Sequence, residues 1–370
     1  MSKIFVISDG LPNPDNLLGT FEMDQALALK SIGHDVYFIA FNSYPFRHKR
    51  KYEEKFGEYK GIPYIYKSFP FERRPLMPFA NMAAIMFRGL MIRAIDKFGM
   101  PDVVHAHFIY QAFLAAKAKN IYNCPLVITE HSSLINRDNI SPGYIKMGKI
   151  AYNRADKVIC VSSALQNKLK LHFSINAILI PNILEIDTFV YNENKNRRGI
   201  VSTSNLVPLK RVDLLIRAFA KAFEGKDVSL DIFGDGPEKL KLQKLIDSLN
   251  ANNKVKLRGM ATRQQLAQAY NNAKAFVMLS STETFGVVYA EAIMSGLPVV
   301  STLCGGPEDY INKNNGLLIP VDDELAAIYA LKSIYKNSDN YDRRYMGEEL
   351  RENFAPQTIA KRLEYIYNSI

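Results

Sequence analysis

The sequence contains little that could crosslink the chain or carry it through a membrane. Its three cysteines, Cys124, Cys160 and Cys304, are far apart and show no Cys-x-x-Cys spacing, so neither a disulfide framework nor a zinc site is expected. No apolar run reaches the roughly 18–20 residues that a membrane-spanning helix needs. The first residues enter a strand pattern directly, without the apolar core of a signal peptide, which predicts a cytoplasmic protein.

The motifs of several common α/β enzymes are also absent. Neither the Walker phosphate loop nor the Gly-x-Ser-x-Gly turn of serine hydrolases occurs. The nearest approach to the dinucleotide fingerprint is Gly234-Asp235-Gly236-Pro237, which lacks a third glycine. These absences argue against NAD, FAD and ATP hydrolysis. Asp-x-Asp does not occur either, so a metal-bridged diphosphate is not suggested and no metal or other cofactor is predicted.

Positive charge is concentrated in the first half of the chain. Residues 1–200 hold 26 Lys and Arg against 17 Asp and Glu, whereas residues 201–370 hold 21 against 20. Residues 41–100 alone carry a net charge of +7. Such a region fits an anionic partner, whether a lipid headgroup, a phosphorylated substrate or nucleic acid, and it fits an ordinary solvated surface equally well.

What the chain does contain is a repeated alternation of strand and helix patterns over 370 residues, a length that favours two domains. The turn signal Pro181-Asn182 and the polar stretch 192–198 mark the boundary. We predict an α/β fold of two tandem Rossmann-like, doubly wound domains that face each other across a cleft. They cover residues 1–181 and 182–354, and a final helix over 355–370 packs back on the first domain. Ligands of such sheets bind outside the carboxyl ends of the strands.

One helix in the basic region allows two interpretations. Residues 78–99 show a helical apolar pattern that includes Met82, Ile85, Leu90 and Ile92, with basic residues interleaved. A helix packed on the sheet is the simpler interpretation. A helix that rests on a membrane surface is the alternative.

The segment Ser280–Gly306 is the richest in chemistry. A strand runs into Ser281-Thr282-Glu283-Thr284-Phe285-Gly286, and a helix start offers free N–H groups that suit an anion. Glu283 and Glu291 are eight residues apart, about 12 Å of rise if both lie on one helix. That separation is too large for the carboxylate pair of a glycosidase. It suits two ends of one long ligand, although a helix cap and a surface glutamate would leave the same spacing.

This segment resembles the signature of glycosyltransferase family 4, whose members have the GT-B fold and retain anomeric configuration. Further segments follow in the order of that family and cover nearly the whole chain: Gly19-Thr20-Phe21, Gly33-His34-Asp35-Val36, Asp102-Val103-Val104-His105-Ala106-His107, Thr129-Glu130-His131, Ala155-Asp156, Ile180-Pro181-Asn182, Leu209-Lys210-Arg211, Phe233-Gly234-Asp235-Gly236-Pro237 and Gly305-Gly306-Pro307-Glu308.

The resemblance implies an acceptor-binding first domain and a second domain that binds the nucleotide sugar. In the second, it implies that Glu291 holds the ribose hydroxyls, that Glu283 lies by the reacting face of the donor sugar, and that Lys210 contacts the diphosphate. Backbone amides around Thr284, Phe285 and Gly286 contact the sugar or phosphates.

From the first domain, the resemblance implies that His131 approaches the donor sugar and that Gly19 lets the backbone approach the phosphates. The family usually has an arginine where this chain has Asn205, so Lys210, or Arg211 as a secondary candidate, carries more of the charge neutralisation. His105 and His107 share one strand face and could bind a metal, but packed histidines are the better interpretation without a third ligand.

The implied activity is retaining transfer of a sugar, with a UDP-sugar favoured as donor. The acceptor is a hydroxyl of a glycan or lipid-linked saccharide, and the product belongs to cell-surface polysaccharide synthesis. The basic region suggests docking at the inner face of the cytoplasmic membrane, and no nucleic-acid partner is expected. Two alternatives stay open: a phosphorylase or nucleotide-sugar epimerase on the same fold, and a non-catalytic basic protein that binds membrane or nucleic acid.

Overall fold

A computed structural model describes residues 1–12, 19–44, 52–70, 77–137 and 139–370. The chain divides into two compact units, Met1–Ile183 with Pro356–Ile370, and Leu184–Ala355. Each unit contains one largely or wholly parallel sheet with helices connecting its strands. Among the described residues no helix is both long and apolar enough to span a bilayer.

The first unit has an eight-stranded sheet in the order β3-β4-β2-β1-β5-β6-β7-β8. Its strands are β1 (Lys3–Ser8), β2 (Asp35–Tyr44), β3 (Glu53–Tyr59), β4 (Ile62–Pro70), β5 (Val103–His107), β6 (Leu126–Glu130), β7 (Lys157–Cys160) and β8 (Ile178–Leu179). Its connecting helices are α1 (Thr20–Ser31), α2 (Met77–Phe98), α3 (Phe108–Tyr122), α4 (Pro142–Arg154) and α5 (Ser163–Phe173). The central strands β1, β5 and β6 are apolar and buried on both faces, as a parallel sheet covered by helices requires.

The antiparallel hairpin β3–β4 at one edge of this sheet was not anticipated from the sequence. Its first strand is mostly exposed or half-buried and rich in charge, so it lacks the apolar run that marks the central strands. The basic segments 45–51 and 71–76, which flank the hairpin in the chain, lie outside the described residues.

The interpretation of α2 is corrected in one respect. Its buried face consists mainly of Ala80, Ala83, Phe87, Leu90 and Ala94. Of the apolar residues on which the prediction was based, Leu90 is buried, whereas three others, Met82, Ile85 and Ile92, are 47, 70 and 49 % exposed. The helix therefore packs on the unit through small residues and turns an apolar stripe outward.

The second unit has a six-stranded, wholly parallel sheet in the order β11-β10-β9-β12-β13-β14. Its strands are β9 (Ile200–Thr203), β10 (Leu230–Phe233), β11 (Val255–Gly259), β12 (Ala275–Val277), β13 (Val299–Thr302) and β14 (Gly316–Ile319). Its helices are α6 (Val212–Ala222), α7 (Lys239–Ser248), α8 (Arg263–Asn272), α9 (Val287–Met294), α10 (Glu324–Asn337) and α11 (Tyr345–Phe354).

The last helix, α12 (Pro356–Tyr367), belongs to the first unit although it follows the second in the chain. It packs against α1, and its residues Ile359, Leu363 and Tyr367 join the apolar core beneath the sheet. His34 Nε2 also lies 3.4 Å from Glu364 Oε1. The first unit is thus built from two separate segments of the chain.

Candidate functional site

In the second unit, the loop after β12 places Glu283 against a cation. Glu283 forms an isolated parallel bridge with Gly305, and it is 8 % exposed. Lys210 Nζ donates to Glu283 Oε1 at 2.5 Å, and Ser280 Oγ donates to the same oxygen at 2.8 Å. The structure therefore brings into direct contact two predicted site residues that are 73 positions apart in the sequence.

This geometry corrects the helical argument made for Glu283 and Glu291. α9 begins at Val287, and its N-cap is Gly286 in the left-handed conformation, with φ of 81°. Glu283 precedes the helix and only Glu291 lies on it, so the 12 Å rise does not apply to the pair. No side chain caps the helix, and an uncapped helix start suits an anion.

The turn before α9 is held by contacts with two aromatic side chains, Tyr310 and Phe354. Tyr310 Oη donates to the carbonyl oxygen of Gly286 at 2.6 Å and lies 3.0 Å from that of Phe285. The Phe285 ring packs against the rings of Tyr310 and Phe354, with centroids 5.5 Å away in each case. Thr284, between Glu283 and this ring, is half-buried. These contacts fix the backbone amides that the sequence predicts as ligand donors.

Glu291 is buried, at 2 % exposure, and is paired with an arginine that sequence reasoning missed. Arg263 Nη2 donates to Glu291 Oε1 at 2.8 Å, and Arg263 also pairs with Glu185 and lies over the Phe189 ring. Burial raises the pKa of Glu291 to about 6, and the Arg263 charge opposes that rise. Arg263 is the first residue of α8, after a Thr262 capping box. The sequence signal at this position therefore indicates a helix start and not a partner for Glu291.

The other predicted phosphate contacts differ in their surroundings. Lys210 ends the short 3₁₀ helix Pro208–Lys210 and is half-buried. Arg211 adopts a left-handed conformation, caps α6 and already pairs with Asp213 and Asp322. Asn205 is exposed. Lys210 is thus the predicted cation that contacts Glu283, whereas Arg211 is engaged with other carboxylates.

In the first unit, Gly19 stands where no other residue fits. It is the N-cap of α1 with φ of 82°, and a Cβ there would overlap the carbonyl oxygen of Gly10. Beneath this turn, Ser8 Oγ donates to Glu22 Oε1 at 2.9 Å. Burial, followed by the nearby Asp9, raises the pKa of Glu22 to about 8. The turn therefore rests on a buried carboxyl that holds its proton at neutral pH.

His131 follows β6 at the carboxyl edge of the sheet and is 6 % exposed. Its Nδ1 lies 2.9 Å from Asn182 Oδ1, and its Nε2 lies 3.0 Å from His107 Nδ1. The Phe21 ring stacks on it at 5.7 Å and 10°. Burial lowers the pKa of His131 to about 4, so the imidazole is neutral at physiological pH.

His105 and His107 do share a strand face, with ring centroids 4.4 Å apart. His105 contacts Tyr367 Oη and Thr129 Oγ1, each at 2.7 Å. Within the described part of the chain no group of three His, Cys, Asp or Glu side chains is placed to hold a metal ion. His105 and His107 pack ring against ring, and each is within hydrogen-bond distance of other buried side chains.

Comparison with known proteins places this geometry in a family. The model of Glycosyltransferase Family 4 matches residues 19–188, and the model of Glycosyl transferases group 1 matches residues 185–354. The chain belongs to glycosyltransferase family 4. Its fold is GT-B, as its structural neighbours show.

Two relatives and one solved structure illustrate the range of this glycosyltransferase's family. N-acetyl-alpha-D-glucosaminyl L-malate synthase of Bacillus anthracis is 27% identical over 96% of this chain and 93% of its own length. Putative teichuronic acid biosynthesis glycosyltransferase TuaC of Bacillus subtilis is 28% identical over 95% of this chain and 94% of its own length. The crystal structure of Anabaena Alr3699/HepE in complex with UDP aligns over 100% of both chains, with a TM-score of 0.77 and 18% identity.

Proposed function

We propose that this glycosyltransferase moves a sugar, with retention, from a nucleotide-diphosphate sugar to a hydroxyl of a glycan or lipid-linked saccharide in cell-surface polysaccharide synthesis. The observation that carries the proposal is the Lys210–Glu283 contact, in the loop that leads to the uncapped start of α9. UDP is the favoured nucleotide because the similar HepE structure contains UDP. TuaC, named for teichuronic acid biosynthesis, supports a polysaccharide product.

The second unit offers a contact for each part of such a donor. The buried Glu291 carboxylate accepts hydrogen bonds from the ribose hydroxyls. Lys210 and the amides at Gly286 neutralise the diphosphate. Glu283, oriented by Ser280 and Lys210, accepts from the donor sugar. The roles that the family implies for Gly19, His131, Asn205 and Arg211 belong to the same proposal.

The transfer needs no protein nucleophile. The bond between the anomeric carbon and the leaving phosphate oxygen breaks, and the acceptor oxygen forms a bond on the same face of the sugar. The acceptor proton passes to the leaving phosphate. Fixed cations and amides stabilise the departing charge, so we expect transfer to proceed without a metal and to survive a chelator.

The test is a thermal-shift panel of UDP-, GDP- and ADP-sugars, followed by product analysis with a labelled donor. We expect stabilisation by a UDP-sugar, abolished in Glu291→Ala, and an α-linked product from an α-linked donor. A product of inverted configuration would refute retention. Sugar 1-phosphate or an isomerised donor would instead indicate the phosphorylase or epimerase. Unchanged nucleotide binding in Glu291→Ala, with salt-sensitive RNA or DNA binding, would favour the non-catalytic alternative.

We also propose that α2 docks the enzyme on an anionic membrane surface. Met82, Ile85 and Ile92 form its outward apolar stripe, and Arg88 and Lys97 flank that stripe on the same helix. Lys97 Nζ lies 4.3 Å from the centroid of the Phe56 ring, which is 45 % exposed on the adjacent β3. An apolar stripe bordered by cations matches an interfacial helix at anionic lipid headgroups.

Co-sedimentation with vesicles of neutral lipid or of neutral lipid mixed with anionic lipid tests the docking. We expect binding to anionic vesicles only, and its loss in Ile85→Asn/Ile92→Asn. Leu240→Asn is the matched control, because Leu240 is 78 % exposed in the second unit. Equal recovery on both vesicle types, or unchanged binding of the double variant, would contradict the proposal.

A further inference from the structure

Three buried histidines, His105, His107 and His131, form a row in which neighbouring ring centroids are 4.4 and 5.3 Å apart. His105 and His107 lie on β5, and His131 follows β6 beside it. His105 and His107 are fully buried, and neither has a role in the transfer proposed above. His107 Nδ1 is 3.0 Å from His131 Nε2, and the two rings are inclined by only 18°.

The hydrogen bonds of this row determine where the protons are. Asn182 Oδ1 can only accept, so His131 Nδ1 carries a proton. A neutral imidazole has one N–H, so His131 Nε2 is an acceptor and His107 Nδ1 donates to it. His107 Nε2 is then the bare nitrogen, and it is buried without a hydrogen-bond partner among the described residues.

Both nitrogens of His131 are thereby occupied, and two aromatic side chains pack against its ring. Phe21 stacks at 5.7 Å, and Phe108 lies at 5.0 Å with a tilt of 39°. Phe108 has φ of 63°, a left-handed conformation that is strained for an aromatic residue. The strained turn places that ring against His131 directly after His107.

We propose that His107 is a positioning residue that locks His131 as the Nδ1–H tautomer, so that His131 acts on the substrate as a fixed neutral ring and not as a base. This inference rests on the proposed function, in which His131 approaches the donor sugar. His107 itself does not touch the substrate. It acts by holding the orientation of its neighbour, as an outer hydrogen-bond partner does for a metal-bound histidine.

Nitrogen NMR of histidine-labelled protein and steady-state kinetics test the proposal together. Wild type should show His131 protonated at Nδ1. His107→Phe keeps the aromatic volume but removes the donor to Nε2. Asn182 can then present either its oxygen or its amino group to Nδ1, so the His131 tautomer should become mixed and kcat should fall about 10- to 100-fold. The Kd for UDP should not change. His107→Asn replaces the Nδ1–H with an amide N–H and should restore the tautomer and most of kcat.

His105→Phe is the matched control, because His105 has the same burial on the same strand face but contacts Tyr367 and Thr129. It should leave the His131 tautomer unchanged. An Nε2–H tautomer in wild type, or His107→Asn as impaired as His107→Phe, would overturn the proposal. If His107→Phe does not fold, the wild-type spectrum and His107→Asn still decide it. If wild type transfers no sugar, the proposed function fails while the spectrum continues to report the tautomer.

Discussion

Lys210 Nζ and Glu283 Oε1 lie 2.5 Å apart, and this contact joins the 3₁₀ turn after β9 to the loop after β12. Ser280 Oγ donates to the same carboxylate oxygen. In the proposed transfer, the cation is therefore held in place before the diphosphate binds, so little reorganisation is needed when charge develops on the leaving group. Glu283 is in turn kept in one orientation by two donors.

Replacement of Lys210 should impair transfer far more than it impairs folding. Lys210→Met removes the cation, and we expect kcat to fall at least about 100-fold, by analogy with the loss of one preorganised donor. Lys239→Met is the control, because Lys239 forms an exposed ion pair with Asp235 at 2.7 Å and should change kcat less than about twofold. Initial rates with labelled donor measure both. A Lys210→Met enzyme within threefold of wild type would remove Lys210 from the mechanism.

The affinity for nucleotide should depend on pH through Glu291. The folded-state pKa is about 6, raised by burial, and the ionised carboxylate is the form that accepts two ribose hydrogen bonds. We therefore expect the affinity for a UDP-sugar, whose diphosphate does not titrate in this range, to be constant above pH 7 and to fall as the pH drops through 6. Arg263 lowers this pKa, so Arg263→Met should move the fall to higher pH.

Calorimetric titration with a UDP-sugar between pH 5 and 8 measures this dependence. Glu291→Gln cannot ionise, and its weaker binding should lose the transition near pH 6. A transition that is identical in wild type and Arg263→Met would show that Glu291 is not the titrating group.

Gly286 should tolerate no side chain. A Cβ there would lie 2.7 Å from Pro307 Cγ and 2.9 Å from Tyr289 Cδ2, in addition to the strain of φ at 81°. Gly225 has φ of 68° with nothing within 4 Å, so Gly225→Ala isolates the strain, about 1–2 kcal/mol. We expect Gly286→Ala to cost about 1–3 kcal/mol more, by urea denaturation, and to abolish the thermal shift with UDP. An equal loss of stability in Gly286→Ala and Gly225→Ala would show that Pro307 and Tyr289 move aside for the added methyl group.

Glu22 should make the first unit less stable in alkali. Its pKa is about 8 in the folded state against 4.5 for the ordinary group, so its contribution is fully present below pH 4.5 and is lost as the pH rises through 8. Glu22→Gln does not titrate, and relative to wild type it should gain a few kcal/mol between pH 5 and 8.5. Urea midpoints at both values measure this. The control is Glu224→Gln, because Glu224 is exposed. The difference in unfolding free energy between this variant and wild type should not vary with pH.

The parts of the fold that the sequence could predict are those where one local signal suffices. Buried parallel strands such as Lys3–Ser8 are largely apolar runs, and their alternation with helix patterns was enough to predict two α/β domains. The hairpin β3–β4 was missed because its pairing depends on an edge that only tertiary structure supplies. Arg263 was missed for the same reason, since its contact with Glu291 spans 28 residues and follows no motif.

The helix start at Gly286 shows a different limit. Ser281, Thr282 and Thr284 precede α9, but Gly286 adopts the left-handed conformation and begins the helix without a side-chain cap. That single torsion angle removed Glu283 from the helix. The sequence pattern therefore indicates a helix in this segment. The torsion angle of Gly286 decides that Glu291 lies on the helix and Glu283 does not.

The return of α12 to the first unit has a consequence for synthesis. α12 supplies Tyr367, whose Oη is 2.7 Å from His105 Nδ1, and it covers α1 in the core of that unit. On the ribosome, the unit that is begun first must wait for all of residues 184–355 before its last helix exists. The apolar face that α12 covers therefore stays exposed while residues 184–355 are made, and the second unit can complete its core earlier than the first.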